Sequence, residues 1–439
     1  MEDKMLTPKK RVAAIATAFL SALALSACGD DGGGGGSEDG DTLTLWHYEG
    51  PDSAMGKAWD AAIKEFEDTH PGVTVEFEEK GFEQIQKTAP MVLNSDDAPD
   101  LMEYNKGNAT AGLLAKQGLL TDLSAEAAER GWEDMLSPSV QTTSRYDENG
   151  IMGSGAWYGI PNYAEYVMVY YNVDLFEEHG VEVPTTYDEF VAAMDTFAGE
   201  GMTPLAMAGA EYPAQQVVYQ LALSQADRSW VDAYQLYQGD VDFQDDAWTY
   251  GAETFADWMD KGYVDKDATG VKAEDMGVSF ISGKYPIMIS GSWWYGRLQS
   301  EIKDFEWGSF LFPGSTMTLG SGGNLWVVPE NSDSKDLAYD FIDITMSEEI
   351  QNILGNNGGV PVAADPAAVT DEKSRELIAN FQTLSDNDGL AFYPDWAWPG
   401  GYDGWVSATQ KVMSGDASPD ESLDEIATQY QDYVGTLPQ

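Results

Sequence analysis

Residues 158–190 read YGIPNYAEYVMVYYNVDLFEEHGVEVPTTYDEF, and this stretch decides the fold class. Its first half, 158–172, is rich in aromatic and β-branched residues and predicts a strand. DLFEEHG (174–180) predicts a short helix, and a second helix follows over 187–199 with a threonine in front of it as a cap. A long strand followed by helices indicates an α/β chain.

The same alternation continues in both directions from this stretch. LTLWHYEG (43–50) predicts a short strand followed by a loop that ends in glycine, residues 54–69 have the spacing of an amphipathic helix, and VTVEFEE (73–79) alternates as a second strand. Strand, helix and strand in this order form the unit of parallel sheets. Further strands are predicted over 99–104, 286–290, 307–312 and 324–329, and further helices over 82–94, 109–120, 213–226, 246–260, 274–281, 335–354, 372–384, 405–414 and 421–434.

Charge and motif content exclude several classes of function. The 439 residues include 75 acidic and 23 basic side chains, a formal net charge of −52 that repels nucleic acid and anionic membrane surfaces. The chain has three histidines, one cysteine and no zincin, nucleophile-elbow or phosphate-loop motif. GDVDFQDDAW (239–248) lacks the glycine and glutamate spacing of a calcium loop. We therefore expect no catalytic residues, no metal site and no cofactor.

The N-terminal segment predicts export. Residues 1–27 combine a basic start with a 14-residue apolar run over 12–25, which is too short to span a bilayer and has the form of a signal peptide. The run ends in Leu-Ser-Ala-Cys, which resembles the bacterial lipobox and predicts lipidation of Cys28. Residues 28–41 are glycine-rich and acidic and predict a flexible tether.

Several motifs, in order along the chain, match one known family. They are LTLWHYEG with HPGVTVEF, APDLMEY, the 158–190 stretch, FISGKYPIMISGSWW, GGNLWVVPENSDSKDLAYDFIDITMSEEIQ and GNNGGVPV. Together they resemble the extracytoplasmic solute-binding lipoproteins of ABC transporters, in the carbohydrate-binding branch that includes the maltose-binding proteins.

This resemblance implies a two-lobed periplasmic-binding-protein-like fold, with the ligand in a cleft between two α/β lobes and hinge crossings that join them. The N-terminal lobe is expected over 42–161 and 314–356, and the C-terminal lobe over 162–313 and 357–439. The expected crossings lie near Pro161–Tyr166, Pro313 and Asn357.

The resemblance also implies a function and a location. We expect a monomer that captures a sugar, in particular an oligosaccharide, and delivers it to the permease subunits of an ABC importer. It would be extracytoplasmic, held on the outer face of the cell membrane by its lipid anchor alone. Two alternatives stay open: the same fold binding a peptide or polyamine, and a secreted glycoside hydrolase.

A sugar site needs aromatic faces for the C–H side of a pyranose ring and polar groups for its hydroxyls. Such residues follow the predicted strands, where α/β sheets bind ligands. The resemblance places Glu165 toward the cleft and Trp293 as a stacking ring, with Trp294 packed inward. For Trp46 a packing role, and for the glycines before Asn324 a simple bulge, remain alternatives. The candidates are Trp46, His47, Glu49, Tyr104, Asn105, Tyr163, Glu165, Glu211, Tyr212, Trp293, Gly323 and Asn324.

PDWAWPGGYDGW (394–405) adds a cluster of rings to this set. If the segment is extended, Trp396 and Trp398 share one side and form a platform for a sugar. Tyr402 and Asp403 would then supply a ring and a hydroxyl acceptor.

Overall fold

The structure, a computed structural model, describes residues 41–365 and 367–438. The predicted signal segment 1–27, Cys28 and the tether up to residue 40 lie outside the described residues. Within the described part of the chain, no helix is long and apolar enough to cross a membrane.

The described residues alternate strands and helices. The strands are β1 (Thr42–His47), β2 (Thr74–Glu79), β3 (Leu101–Tyr104), β4 (Arg145–Tyr146), β5 (Ala156–Trp157), β6 (Ile160–Pro161), β7 (Tyr163–Asn172), β8 (Leu205–Ala206), β9 (Ile287–Gly291), β10 (Trp307–Phe310), β11 (Gly320–Gly322), β12 (Leu325–Val327) and β13 (Val360–Pro361). The helices are α1 (Ala54–Thr69), α2 (Phe82–Val92), α3 (Ala111–Lys116), α4 (Ser124–Glu129), α5 (Trp132–Met135), α6 (Pro138–Gln141), α7 (Val173–Glu178), α8 (Tyr187–Gly199), α9 (Ala214–Leu223), α10 (Arg228–Leu236), α11 (Asp246–Asp260), α12 (Ala273–Ile281), α13 (Tyr295–Glu301), α14 (Lys335–Met346), α15 (Glu348–Asn356), α16 (Glu372–Asp386), α17 (Gly401–Ser414) and α18 (Pro419–Val434).

The first lobe is built on a five-stranded sheet with the order β2-β1-β3-β12-β6. β1 runs parallel to β2 and β3, whereas β12 runs antiparallel to β3 and β6. Helix α1 covers this sheet because its apolar residues recur at helical spacing. Trp59 of that helix packs on Trp326 of β12, with ring centroids 5.6 Å apart, and Trp326 packs on Phe341 of α14 at 5.7 Å.

The second lobe is built around β7. Its sheet has the order β10-β7-β9-β8, and β11 and β13 also pair with β7. The helices of this lobe pack through rings: Trp248 of α11 lies 5.6 Å from Tyr219 of α9 and stacks on Trp405 of α17 at 5.3 Å. Trp405 is buried there and donates its indole N–H to the Tyr234 hydroxyl, 3.0 Å away.

The chain passes between the two sheets three times. It leaves the first sheet at β6 and enters the second at β7, so this passage falls at Asn162. It returns between β11 and β12, at Gly323–Asn324, which is about ten residues later than the crossing expected near Pro313. The last passage lies between α15, which packs on α1, and β13, which pairs with β7.

Local sequence signals positioned many of these elements. Helices α1 and α11 have the predicted bounds, and α8 begins with a capping box in which Thr186 and Glu189 exchange hydrogen bonds. The single helix expected over 335–354 is two helices, because Ser347 is extended (ψ 148°) and caps the second one. The strand expected over 158–172 is interrupted, because its first residues pair in the other sheet. Helix α10 was not predicted, although Asp227 caps it.

Gln351 holds the hinge segments together. Its side chain is fully buried and donates to the carbonyl oxygens of Asn162 and Thr345, while its amide oxygen accepts from the backbone N–H of Val362 (2.8 Å) and Ala363 (3.2 Å). One side-chain amide of α15 therefore binds the first crossing, at Asn162, and the segment that follows the third crossing.

Replacing Gln351 with Leu is expected to lower the free energy of unfolding by about 2–4 kcal/mol, because buried backbone donors and acceptors lose their partners. Urea unfolding measures this loss. Gln431→Leu, on the exposed face of α18, is the matched control and should change stability by less than about 0.5 kcal/mol. Equal effects of the two substitutions would contradict the role given to Gln351.

Candidate functional site

A cavity of about 420 Å³ lies where loops of both sheets meet. Its size falls within the range of small-molecule sites, about 300–1,000 Å³. The first lobe contributes the segments that follow the carboxyl ends of β1 and β3, the usual location of ligands in α/β sheets. The second contributes β7, the segment after β9 and the segment 393–402. The residues that line it include Tyr48, Glu49, Asn105, Lys106, Tyr163, Glu165, Tyr212, Gln216, Trp293, Asn324, Tyr393, Asp395, Trp396 and Tyr402.

Lys106 is the centre of a buried polar network. Its ammonium group lies 2.6 Å from a Glu165 carboxylate oxygen and donates to the Asn324 amide oxygen at 3.0 Å. The amide nitrogen of Asn324 donates in turn to the Tyr163 hydroxyl at 2.6 Å. Lys106 is 1% exposed and Glu165 is 5% exposed, so each charge depends on the other for compensation.

Gly107 allows the second lobe to approach this network. Its φ of +107° lies in the region that favours glycine, and a Cβ atom there would be 2.7 Å from the Trp396 side chain. The Trp396 carbonyl also accepts from the Ala109 backbone N–H at 3.0 Å. Trp396 therefore lies directly against the loop that carries Lys106. The Lys106 ammonium nitrogen is 5.2 Å from the centroid of the Trp396 ring.

Four rings form a continuous band along one wall. Tyr212 and Trp293 meet edge to face at 5.7 Å, Trp293 lies 6.2 Å from Tyr393, and Tyr393 lies 4.8 Å from Trp396. The Trp293 indole N–H and the hydroxyls of Tyr393 and Tyr402 are buried and have no hydrogen-bond partner among the described residues. These groups are available to a ligand.

Carboxyl groups face this band, and burial alters their acidity. Desolvation, followed by repulsion from Glu165, raises the pKa of Glu49 to about 7. Burial alone is the main cause that raises the pKa of Asp395 to about 7. Behind the wall, burial and the nearby Glu49 raise the pKa of Glu103 well above its usual range.

Nine of the sequence-predicted residues line the cavity: Glu49, Asn105, Tyr163, Glu165, Tyr212, Trp293, Asn324, Trp396 and Tyr402. They come from seven separate stretches of sequence, and the fold brings them together. Their role in binding stays a prediction. Trp294 also reaches the cavity but is 5% exposed, while Trp293 is only partly buried.

The placement of Trp46 and His47 differs from the expectation, because β1 continues through both. His47 points into the core, where it stacks on Phe77 at 4.0 Å and burial lowers its pKa to about 3. Trp46 points to the other face of the strand, where the Lys80 ammonium lies 4.4 Å from its ring centroid. Neither residue lines the cavity.

Four other candidates also lie off the cavity wall. Tyr104 is buried inside β3, and Asp403 is exposed on α17. Glu211 accepts from the Ala273 backbone N–H at 3.1 Å and lies 3.4 Å from Lys272, so it anchors the start of α12. Gly323 packs under the Tyr163 ring, where a Cβ atom would approach within 2.6 Å.

The prediction that Trp396 and Trp398 form one platform for a sugar is wrong. Residues Pro394–Trp396 form a 3₁₀ turn, so the two rings do not share the side that an extended strand would give them. Trp398 is 2% exposed and packs edge to face on Tyr430 at 5.9 Å. It is a core residue of the second lobe.

Sequence reasoning missed Lys106, Tyr393 and Asp395, all of which line the cavity. Lys106 could have been found, since it directly follows the candidate Asn105 at the end of a predicted strand in a chain with few basic residues. Tyr393 carried no distinguishing local signal, whereas Asp395 lies within PDWAWPGGYDGW, the segment noted for its rings. Within residues 41–365 and 367–438, no cluster of three or more His, Cys, Asp or Glu side chains is arranged to hold a metal ion.

Two α/β lobes, three crossings and a cavity between them define the class of two-lobed binding proteins. The chain belongs to the family of bacterial extracellular solute-binding proteins, whose model matches residues 61–382. Membership of this family gives the protein an extracytoplasmic location.

Named relatives agree with this assignment. The chain is 25% identical over 415 residues to the diacetylchitobiose binding protein DasA of Streptomyces coelicolor, covering 89% of this chain and 90% of the relative. It is 23% identical over 377 residues to the multiple sugar-binding protein of Streptococcus mutans, covering 84% and 85%. The fold is similar to an ABC substrate-binding protein of Listeria monocytogenes solved with cycloalternan, with a TM-score of 0.74 and 22% identity over 90% of this chain and 100% of that one.

The raised carboxyl pKa values predict a pH-dependent stability without ligand. A carboxyl group with a raised pKa in the folded state contributes stability below its unfolded pKa of about 4, and that contribution is lost as pH rises through about 7. The double variant Glu49→Gln, Asp395→Asn should therefore lose less stability between pH 4.5 and pH 7.5 than the parent. Urea unfolding at several pH values measures the slope. Glu129→Gln, an exposed carboxylate, should keep the parental slope; an unchanged slope in the double variant would contradict the prediction.

Proposed function

We propose that this protein captures an oligosaccharide in the cleft between its lobes and delivers it to an ABC importer. The observation that carries the proposal is the band of Tyr212, Trp293, Tyr393 and Trp396 opposite hydrogen-bonding side chains. Two relatives, a diacetylchitobiose binding protein and a multiple sugar-binding protein, support the same ligand class.

The two kinds of wall suit the two sides of a sugar. Aromatic faces pack on the C–H groups of a pyranose ring, and the open indole N–H of Trp293 and hydroxyls of Tyr393 and Tyr402 reach ring hydroxyls. Several rings in line favour more than one sugar unit. Because both lobes contribute, ligand contacts favour the closed arrangement of the lobes, and binding and closure are coupled.

Recognition in this proposal involves no covalent step, and the protein acts as a monomer. A glycoside hydrolase would release reducing ends from the sugar that binds, so a reducing-sugar assay that stays flat supports binding without turnover. A peptide or polyamine remains the competing ligand class. Binding of either, with no oligosaccharide bound across a calorimetric panel, would overturn the carbohydrate part.

We also propose that Cys28 carries a lipid that holds the protein on the outer face of the cell membrane. The apolar run before it, the Leu-Ser-Ala-Cys junction and the glycine-rich stretch after it support this. Cys28→Ala should move the protein from the membrane fraction to the soluble fraction, while Ser26→Thr, within the same junction, should not. Membrane retention of Cys28→Ala at the parental level would refute the anchor.

Trp293→Ala should raise the Kd for the best-binding oligosaccharide at least about tenfold, or ~1.4 kcal/mol, because a stacking face is lost. Its midpoint of urea unfolding without ligand should change little, since the ring is only partly buried. Calorimetry and intrinsic tryptophan fluorescence follow the binding.

Trp398→Ala is the matched control for this substitution. Its ring is packed in the core, so the free energy of unfolding should fall by about 3–5 kcal/mol while the Kd of the remaining folded protein stays within threefold. If Trp398→Ala weakened sugar binding more than Trp293→Ala, the assignment of the wall would be wrong.

A further inference from the structure

The cavity wall carries far more negative than positive charge. Seven carboxylate side chains line it, against one lysine and one arginine. Both cations are already paired: Lys106 with Glu165 at 2.6 Å, and Arg297 with Glu274 at 2.7 Å and with Glu301 at 2.5 Å. The remaining carboxylates, Glu49, Asp52, Glu79 and Asp395, have no cationic partner within residues 41–365 and 367–438.

Two of these four lie deep in the cleft. Asp395 is 8% exposed, its carboxylate is within hydrogen-bonding range of its own backbone N–H, and no cation pairs with it among the described residues. Glu49 accepts from the Ser53 hydroxyl at 3.4 Å and also interacts with the neighbouring Glu103 carboxyl. Both lie within electrostatic range of the Lys106–Glu165 pair, which itself is close to neutral. Both acids therefore line the cavity without a cationic partner at ion-pair distance among the described residues.

A buried carboxylate without a cationic partner is costly, and two outcomes relieve the cost. The groups take up protons, or a cation enters. Without ligand, burial raises the pKa of Glu49 and of Asp395 to about 7, which favours uptake of protons below that pH. A ligand that brought its own positive charge would replace those protons and form charge-assisted hydrogen bonds.

The aromatic band also suits a cation. Ring faces attract ammonium groups through their quadrupole, and the Lys106 ammonium already lies 5.8 Å from the Tyr393 ring and 5.2 Å from the Trp396 ring. The same rings pack on the apolar face of a sugar. A sugar ring that carries an amine satisfies both features at once, whereas a flexible polyamine leaves the hydroxyl-binding groups without a partner.

We propose that the ligand of this cleft is an oligosaccharide with at least one protonated amino group, held by Glu49 and Asp395. This inference rests on the proposed sugar-binding function and narrows it to a class of sugar. A neutral or N-acetylated sugar leaves the two acids without a cation, and an anionic sugar is repelled by them.

The test compares ligands that differ only at the amino position. Glucosamine disaccharides and trisaccharides, their N-acetylated forms and the corresponding glucose oligosaccharides are titrated by calorimetry at pH 6, where the amine carries its proton. The amino forms should bind at least tenfold more tightly than both counterparts, and the preference should shrink as salt is raised. Equal or tighter binding of the neutral or acetylated forms would overturn the inference and leave the sugar-binding function in place.

Variants test which residues set the preference. Glu49→Gln and Asp395→Asn should each reduce the preference for the amino form, measured as the Kd of the neutral sugar divided by the Kd of the amino sugar, at least fivefold. Glu129→Gln, an exposed acid on α4, should leave that ratio unchanged. An unaltered ratio in both site variants would overturn the assignment of these acids.

Spermidine is the control that separates this inference from a failure of the proposed function. If spermidine binds and no sugar in the panel does, the carbohydrate function itself is wrong. If amino sugars bind and spermidine does not, both the function and its narrower form stand.

Discussion

The Lys106–Glu165 ion pair is the interaction on which the cleft depends. Lys106 follows β3 of the first sheet and Glu165 lies in β7 of the second, so the pair joins the two lobes at the floor of the cavity. Both groups are nearly inaccessible, and neither could be buried alone at an acceptable cost. Asn324 and Tyr163, which belong to two of the crossings, extend the same network by hydrogen bonds. The position of one charge therefore fixes the geometry in which the two lobes meet.

The rest of the site is arranged around this pair. Gly107 gives the loop after β3 the positive φ that lets Trp396 approach, and Trp396 sets the position of Tyr393 and then of Trp293. The acids Glu49 and Asp395 lie within the electrostatic field of the same pair. The single lysine is already neutralised by Glu165 and cannot also neutralise these two carboxylates. The result is a cavity with rigid aromatic faces and unused negative charge. We infer the class of ligand from that combination, because rings alone would suit a neutral sugar equally well.

Much of the secondary structure followed from local signals in the sequence. These signals act between residues three or four apart in the sequence. They set the apolar face of the 16-residue helix α1, the capping box of α8 and the bounds of α11. Errors occurred where a distant partner decided the outcome. Residues 158–172 look like one strand, but Ile160–Pro161 pairs with β12 in one sheet and Tyr163 begins a strand in the other. The crossing expected near Pro313 falls at Gly323–Asn324 for the same reason, since strand pairing and not a proline sets it.

The sequence by itself determined the α/β class, the family and the kinds of side chain available for a site, because these depend on composition, local periodicity and ordered motifs. Only the tertiary structure decided which of those side chains face the cavity. His47 and Trp398 carry suitable chemistry but turn into the core, while Tyr393 reaches the cleft without any local pattern to announce it. The position at which a strand stops sets the direction of the side chains at its end. The groups that the other lobe brings near such a side chain set its charge state. Both depend on contacts between residues far apart in the chain.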